Sequence, residues 1–102
     1  SALSGGEQSF VAIAIYFAIL KVRPAPFCIL DEIEAALDDV NVARYAEYLR
    51  LMSDKTQFIA ITHRRGTMEE ADVLYGVTMQ EKGVSKLLKL DVSEVAGQSQ
   101  TA

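Results

Sequence analysis

Apolar residues dominate the stretch from Phe10 to Leu20, with Val11, Ile13, Ile15, Phe17 and Ile19 falling on nearly every face of a helical wheel. Ser4 followed three residues later by Glu7 is the pattern of a capping box, and Lys21 and Arg23 suit a helix C-terminus. The pattern predicts a buried helix that starts at Ser4 and is broken by Pro24 and Pro26. Phe27-Cys28-Ile29-Leu30 is then a short continuous apolar run of the kind found in central parallel strands, and it stops on two acids, Asp31 and Glu32.

From Val40 to Met52 the positions Val42, Tyr45, Ala46, Leu49 and Met52 recur at helical spacing, with Asp38 or Asp39 placed to cap the start. Phe58-Ile59-Ala60-Ile61 reads as a second buried strand ending in Thr62-His63, and Thr67 with Glu70 reads as the cap of a short helix ending near Asp72. Val73 to Met79 and Val84 to Leu90, joined through Glu81-Lys82-Gly83, read as a β-hairpin. This alternation predicts an α/β fold with parallel strands, flanking helices and a closing hairpin, in which ligands bind beyond the carboxyl ends of the strands. Residues 1–92 form the expected domain and 93–102, small and polar, a flexible tail.

Length and composition narrow the picture. A chain of 102 residues with 50% hydrophobic content is sufficient for one packed unit. The Phe10–Leu20 run is too short to cross a bilayer, so no membrane partner is expected. The single cysteine, Cys28, lies in an apolar stretch and fits a reducing, intracellular setting. A net charge of −4 offers no general footprint for nucleic acid. The start, Ser1-Ala2-Leu3 running straight into Gly5-Gly6, reads as a cut inside a larger protein.

Asp31 and Glu32 end a hydrophobic strand. One carboxylate there can hold Mg²⁺ while its neighbour orients and deprotonates a water attacking a γ-phosphate, although two acids after a strand also begin many solvated loops. Ser4-Gly5-Gly6 at a helix start is a potential anion site, since free N–H groups and the helix dipole point outward and no side chain blocks approach. The same residues are also simply a capping box. His63, the one histidine, follows a buried strand and is placed to donate a hydrogen bond to a phosphate. Asp38 reads first as a helix N-cap, and Arg64 and Arg65 as solvated charges.

Together the motifs are more specific than any one alone. Leu3-Ser4-Gly5-Gly6-Glu7-Gln8 resembles the signature motif of ATP-binding-cassette ATPases, Phe27 to Glu32 resembles Walker B with its catalytic glutamate, Ala36-Leu37-Asp38 resembles the D-loop, and His63 resembles the switch histidine. The wording of Asp31-Glu32-Ile33-Glu34-Ala35-Ala36-Leu37-Asp38, and of Thr62 to Met68 and Ala71 to Gln80, is similar to the SMC (structural maintenance of chromosomes) branch, in a bacterial form, rather than to transporter cassettes. A head of the DNA-repair type is the closer alternative, and a non-hydrolysing interaction module a third.

The resemblance implies the C-terminal lobe of an SMC ATPase head, P-loop NTPase-like in fold and incomplete without an N-terminal lobe. It implies that Asp31 helps bind Mg²⁺, Glu32 polarises the attacking water and His63 contacts the γ-phosphate of ATP held by the same head. Ser4, Gly5 and Gly6 would contact ATP held by a second SMC head, with Asp38 at the same interface. Implied partners are the N-terminal lobe, that second head, a kleisin subunit near Tyr75, Leu87 and Leu88, and DNA through the complete complex, in a cytoplasmic, nucleoid-associated setting. The chain has no Gly-rich phosphate loop with its Lys, so it is expected not to hydrolyse ATP alone.

Overall fold

The computed structural model describes residues 4–92, so Leu3 of the signature pattern and the expected tail 93–102 lie outside the described residues. The elements are α1 (Gly5–Val22), β1 (Phe27–Asp31), α2 (Asp39–Met52), β2 (Gln57–Ile61), α3 (Arg65–Glu69), β3 (Val73–Glu81) and β4 (Val84–Asp91). Where one packed unit is expected, the chain divides into two compact units between Glu70 and Ala71. The cause is in the pairing: β1 pairs only with β2, and β3 only with β4, among the described residues.

In the first unit β1 and β2 run parallel, Phe27 opposite Gln57 through Asp31 opposite Ile61. The register is pinned before the strands begin. Thr56, buried, donates from its hydroxyl to the Ala25 carbonyl at 2.7 Å, and the Gln57 N–H donates to the Pro26 carbonyl at 3.0 Å. Cys28 and Leu30 turn to one face of the sheet and join Ile13, Phe17 and Leu20 of α1, Leu37, and Val42, Tyr45 and Leu49 of α2 in the core. Phe17 is its aromatic centre, stacked on Tyr45 and Tyr48 with ring centroids 5.9 and 5.6 Å away and meeting Phe58 edge-on at 6.3 Å. Each such pair adds about 1 kcal/mol beyond burial.

Helix α1 is not buried all round. Only Ile13, Phe17 and Leu20, spaced one and two turns apart, are buried, while Val11, Ile15, Tyr16, Ile19 and Val22 remain exposed. At 18 residues it also exceeds the Phe10–Leu20 run, and by length and composition alone it is long and apolar enough to cross a membrane. The outward face of β1–β2 is likewise open: Phe27, Ile29, Ile59 and Ile61 are between 47% and 60% exposed. Parallel sheets ordinarily carry cover on both faces, so this sheet is half dressed.

One local reading changes. The cap of α3 is Arg64, with no side-chain capping bond, and Thr67 is buried inside the unit rather than at a helix start. The reason is a better partner: its hydroxyl donates to the Glu34 carboxylate at 2.6 Å, and Glu34 is 1% exposed. Cys28 is a free, buried thiol whose Sγ lies 2.7 Å from the Tyr16 hydroxyl. In the second unit β3 and β4 form the expected hairpin, with Gly83 at φ 82° supplying the left-handed turn residue.

Candidate active site

Ser4 caps α1 from an extended conformation, its Oγ accepting the Glu7 N–H at 3.0 Å. That bond satisfies one of the four free donors of the helix start and leaves the others facing outward. Gly5 and Gly6 are not equivalent. Among the described residues a Cβ on Gly5 would meet nothing within 4 Å, so on that count the position is open to an incoming group. A Cβ on Gly6 would lie 3.0 Å from the Ala36 carbonyl oxygen, so glycine there lets the helix start press on the loop that contains Asp38.

That loop begins at the strand end. Asp31 is the last residue of β1 and exposed, and Glu32 follows with φ +52°, the single non-glycine residue with positive φ among the described residues. A left-handed glutamate costs about 1 kcal/mol. It is held there because its N–H donates to the Ile61 carbonyl at 2.8 Å, extending the ladder, while its own carbonyl accepts the Ala35 N–H at 3.2 Å. The kink turns the carboxylate toward the end of β2, where Glu32 Oε1 lies 2.8 Å from His63 Nδ1. Both side chains are exposed, so the pair is accessible and contributes little to stability.

The loop closes on Asp38, which caps α2 with Oδ1 accepting the Asn41 N–H at 2.9 Å. The cap reading therefore holds, and the carboxylate is at the surface. Behind it Glu34 is buried and bonded to Thr67, and burial together with the Glu34 charge pushes the Tyr45 hydroxyl well above the ordinary phenol range. That hydroxyl has no hydrogen-bond partner among the described residues.

Arg64 is not a solvated charge. Its side chain is 19% exposed and its guanidinium reaches across to the loop, with Nη1 donating to the carbonyls of Glu34, Ala35 and Leu37 at 3.3, 3.3 and 2.8 Å and Nη2 donating to Asp39 Oδ1 at 3.0 Å. Sequence reasoning missed this residue, although a cation next to a strand-end histidine was visible. Arg65 does behave as a surface charge, paired with Glu69 one turn on.

Asp31, Glu32 and His63 are thus gathered at the carboxyl ends of two adjacent parallel strands, with the α1 start packed on the loop between them and Asp38. The sequence model of the RecF/RecN/SMC N terminal domain matches residues 1–86. The chain belongs to the SMC family. It is 67% identical over 92 residues to the chromosome partition protein Smc of Bacillus subtilis and 69% identical over 88 residues to that of Clostridium kluyveri. Those alignments cover 90% and 86% of this chain but only 8% and 7% of the relatives, so the chain spans less than a tenth of their length.

Among solved SMC structures, a Smc head with an extended coiled coil, bound to the C-terminal domain of ScpA and derived from Pyrococcus furiosus, is 44% identical with a TM-score of 0.90, covering 98% of this chain and 25% of that one. A Smc head bound to the C-winged helix domain of ScpA is 47% identical with a TM-score of 0.87, covering 92% and 29%. The mixed fold is therefore that of part of an SMC head, and the relatives matched in sequence are bacterial. The matched family description names an N-terminal domain, whereas the motif order resembles a C-terminal lobe.

In the hairpin the three residues expected to meet a kleisin do not share one surface. Tyr75 and Leu87 lie on the same face, with Val77 opposite Leu87, whereas Leu88, opposite Gly76, points to the other. Val77 at 71% exposure and Met79 at 62% are more open than Tyr75 at 58%.

Proposed function

We propose that the chain is the C-terminal lobe of a bacterial SMC ATPase head, supplying the water-activating group to its own head and the signature helix start to a second head. The Glu32–His63 pair at 2.8 Å, beside the exposed Asp31, is the observation that carries this reading. Water held by Glu32 would attack the γ-phosphorus in line. Its proton would pass to the carboxylate as the bond from phosphorus to the β–γ bridging oxygen breaks. His63, freed from Glu32 by rotation, would donate to a γ-phosphate oxygen.

Among the described residues no group of three or more metal-ligating side chains occurs. One exposed carboxylate with waters and phosphate oxygens is nevertheless the usual Mg²⁺ arrangement, so Asp31 fits that ion. Mg²⁺ would neutralise charge building on the phosphates. Ser4, Gly5 and Gly6 would face the γ-phosphate held by the other head, and the empty space over Gly5 supports this. Asp38 would lie at the same interface.

The open faces of α1 and β1–β2 support a missing partner lobe, to be covered by the N-terminal lobe bearing the phosphate loop; alone, the chain would not turn over ATP. Two solved Smc heads bound to ScpA domains support a kleisin partner, placed at the Tyr75–Leu87 face of the hairpin. DNA organisation at the nucleoid would be the work of the complete complex. In the complete head, Glu32→Gln should lower turnover by at least about a hundredfold while ATP binding and head association persist. Retained turnover would refute the assignment of the base.

A further inference from the structure

Residues 62–67 grip the loop 32–39 along its whole length, but the grips differ in kind. His63 meets the start of the loop at Glu32, Thr67 meets its buried middle at Glu34, and Arg64 spans the rest. Arg64 sits on extended backbone, φ −89° and ψ 124°, so its side chain and that of His63 leave the strand end in different directions. Its own N–H donates to Thr62 Oγ1 at 2.9 Å, which stiffens the junction with β2.

The carbonyls that Arg64 binds belong to a tight turn, in which the Leu37 N–H donates to the Glu34 carbonyl at 3.0 Å. Such a turn gathers carbonyl oxygens at one end, and the planar guanidinium presents Nη1 to all three while Nη2 points to Asp39, an orientation that a freely rotating ammonium on a shorter side chain does not fix. Asp39 is fully exposed and adds little. The main-chain bonds therefore carry the clamp, and the shortest of them, at 2.8 Å, falls on Leu37, the residue before Asp38.

We propose that Arg64 is a positioning residue for inter-head engagement. It fixes the D-loop residue Asp38 to the strand end that carries His63, so a change in what His63 binds moves Asp38 with it. The inference rests on the roles proposed above for Glu32, His63 and Asp38, and adds the physical link between the phosphate-sensing and the partner-facing ends of the loop.

The test uses the complete head with Arg64→Met, Arg64→Lys and Glu32→Gln. Steady-state kinetics give kcat and KM, a fluorescent ATP analogue gives affinity, and ATP-dependent head association is followed in the Glu32→Gln background. Arg64→Met should leave ATP affinity and KM within about threefold while kcat and head association each fall by at least about tenfold. Arg64→Lys should not restore them, because its three donors sit on one point charge. If Arg64→Met does not yield folded head, Arg64→Lys carries the same readouts.

Wild-type kcat and association in both variants, full rescue by lysine, or a loss confined to ATP affinity would each overturn the proposal. If Glu32→Gln blocks turnover and the Arg64 variants behave as wild type, the clamp fails and the assignment of the base stands. If Glu32→Gln retains turnover, both fall.

Discussion

The loop from Glu32 to Asp39 and the outward face of β1–β2 lie in the same unit and could hardly be treated more differently by the chain. Around the loop nearly every polar group finds a partner within the unit: the Glu34 carboxylate has Thr67, the turn carbonyls have Arg64, Asp38 has the Asn41 N–H, and Glu32 has His63. On the sheet, Phe27, Ile29, Ile59 and Ile61 remain about half exposed. Buried polar groups must be satisfied where they are or they cost about 1–3 kcal/mol each, whereas an apolar face can be covered later by another piece of protein. The chemistry-bearing loop is accordingly shaped from inside this chain, and on the reading proposed above the outward face of the sheet is left for a partner lobe to cover.

Paired truncations in the two regions test that contrast most strongly. Leu37→Ala, at a loop residue 4% exposed, should cost about 3 kcal/mol by urea unfolding whether or not the rest of the head is present. Ile29→Ala should cost under about 1 kcal/mol in this chain and about 3 kcal/mol in the complete head. Equal costs for Ile29→Ala in both settings would erase the distinction.

A smaller effect is expected from Thr67→Val, which keeps the shape but leaves the Glu34 carboxylate without its hydroxyl partner; thermal unfolding should report a loss of about 2 kcal/mol. Gly6→Ala should cost about 1 kcal/mol, because the Ala36 carbonyl must yield to the new methyl group. Gly5→Ala should leave stability unchanged or raised by a few tenths of a kcal/mol, since nothing is nearby and alanine favours the helix. In the complete head the same change should depress turnover, the sign of a position kept open for a ligand. Tyr45→Phe has the opposite sign to the core truncations: removing a buried hydroxyl that lacks a partner among the described residues should stabilise by up to about 1 kcal/mol, read as a rise in the urea midpoint.

Much of this arrangement was legible from residue order. Apolar runs ending on Asp31-Glu32 and on His63 set two strands side by side, and β-α-β connectivity makes such strands parallel with their carboxyl ends together. Asp38 as a cap and the Lys82-Gly83 turn followed from local backbone chemistry. What escaped were contacts between segments distant in sequence. Thr67 looks like a cap because Glu70 follows it, and only the fold brings in Glu34, 33 residues away. Arg64 looks like a surface charge until the loop carbonyls close round it. The all-round apolarity of α1 predicted full burial, and the structure instead leaves much of that surface exposed, as it does on the sheet. The pattern registered that both sides are apolar but not which side this chain covers.

Thiol labelling at the centre of the open sheet face tests the central claim most directly. With Cys28 replaced by alanine, Ile29→Cys should react in the complete head at least about a hundredfold more slowly than in the same head unfolded in denaturant, because exchange with solvent there requires local opening beneath a second lobe. Labelling of the folded complete head at close to the unfolded rate would mean that nothing covers this face, and the reading of the chain as one lobe of a two-lobe head would be wrong.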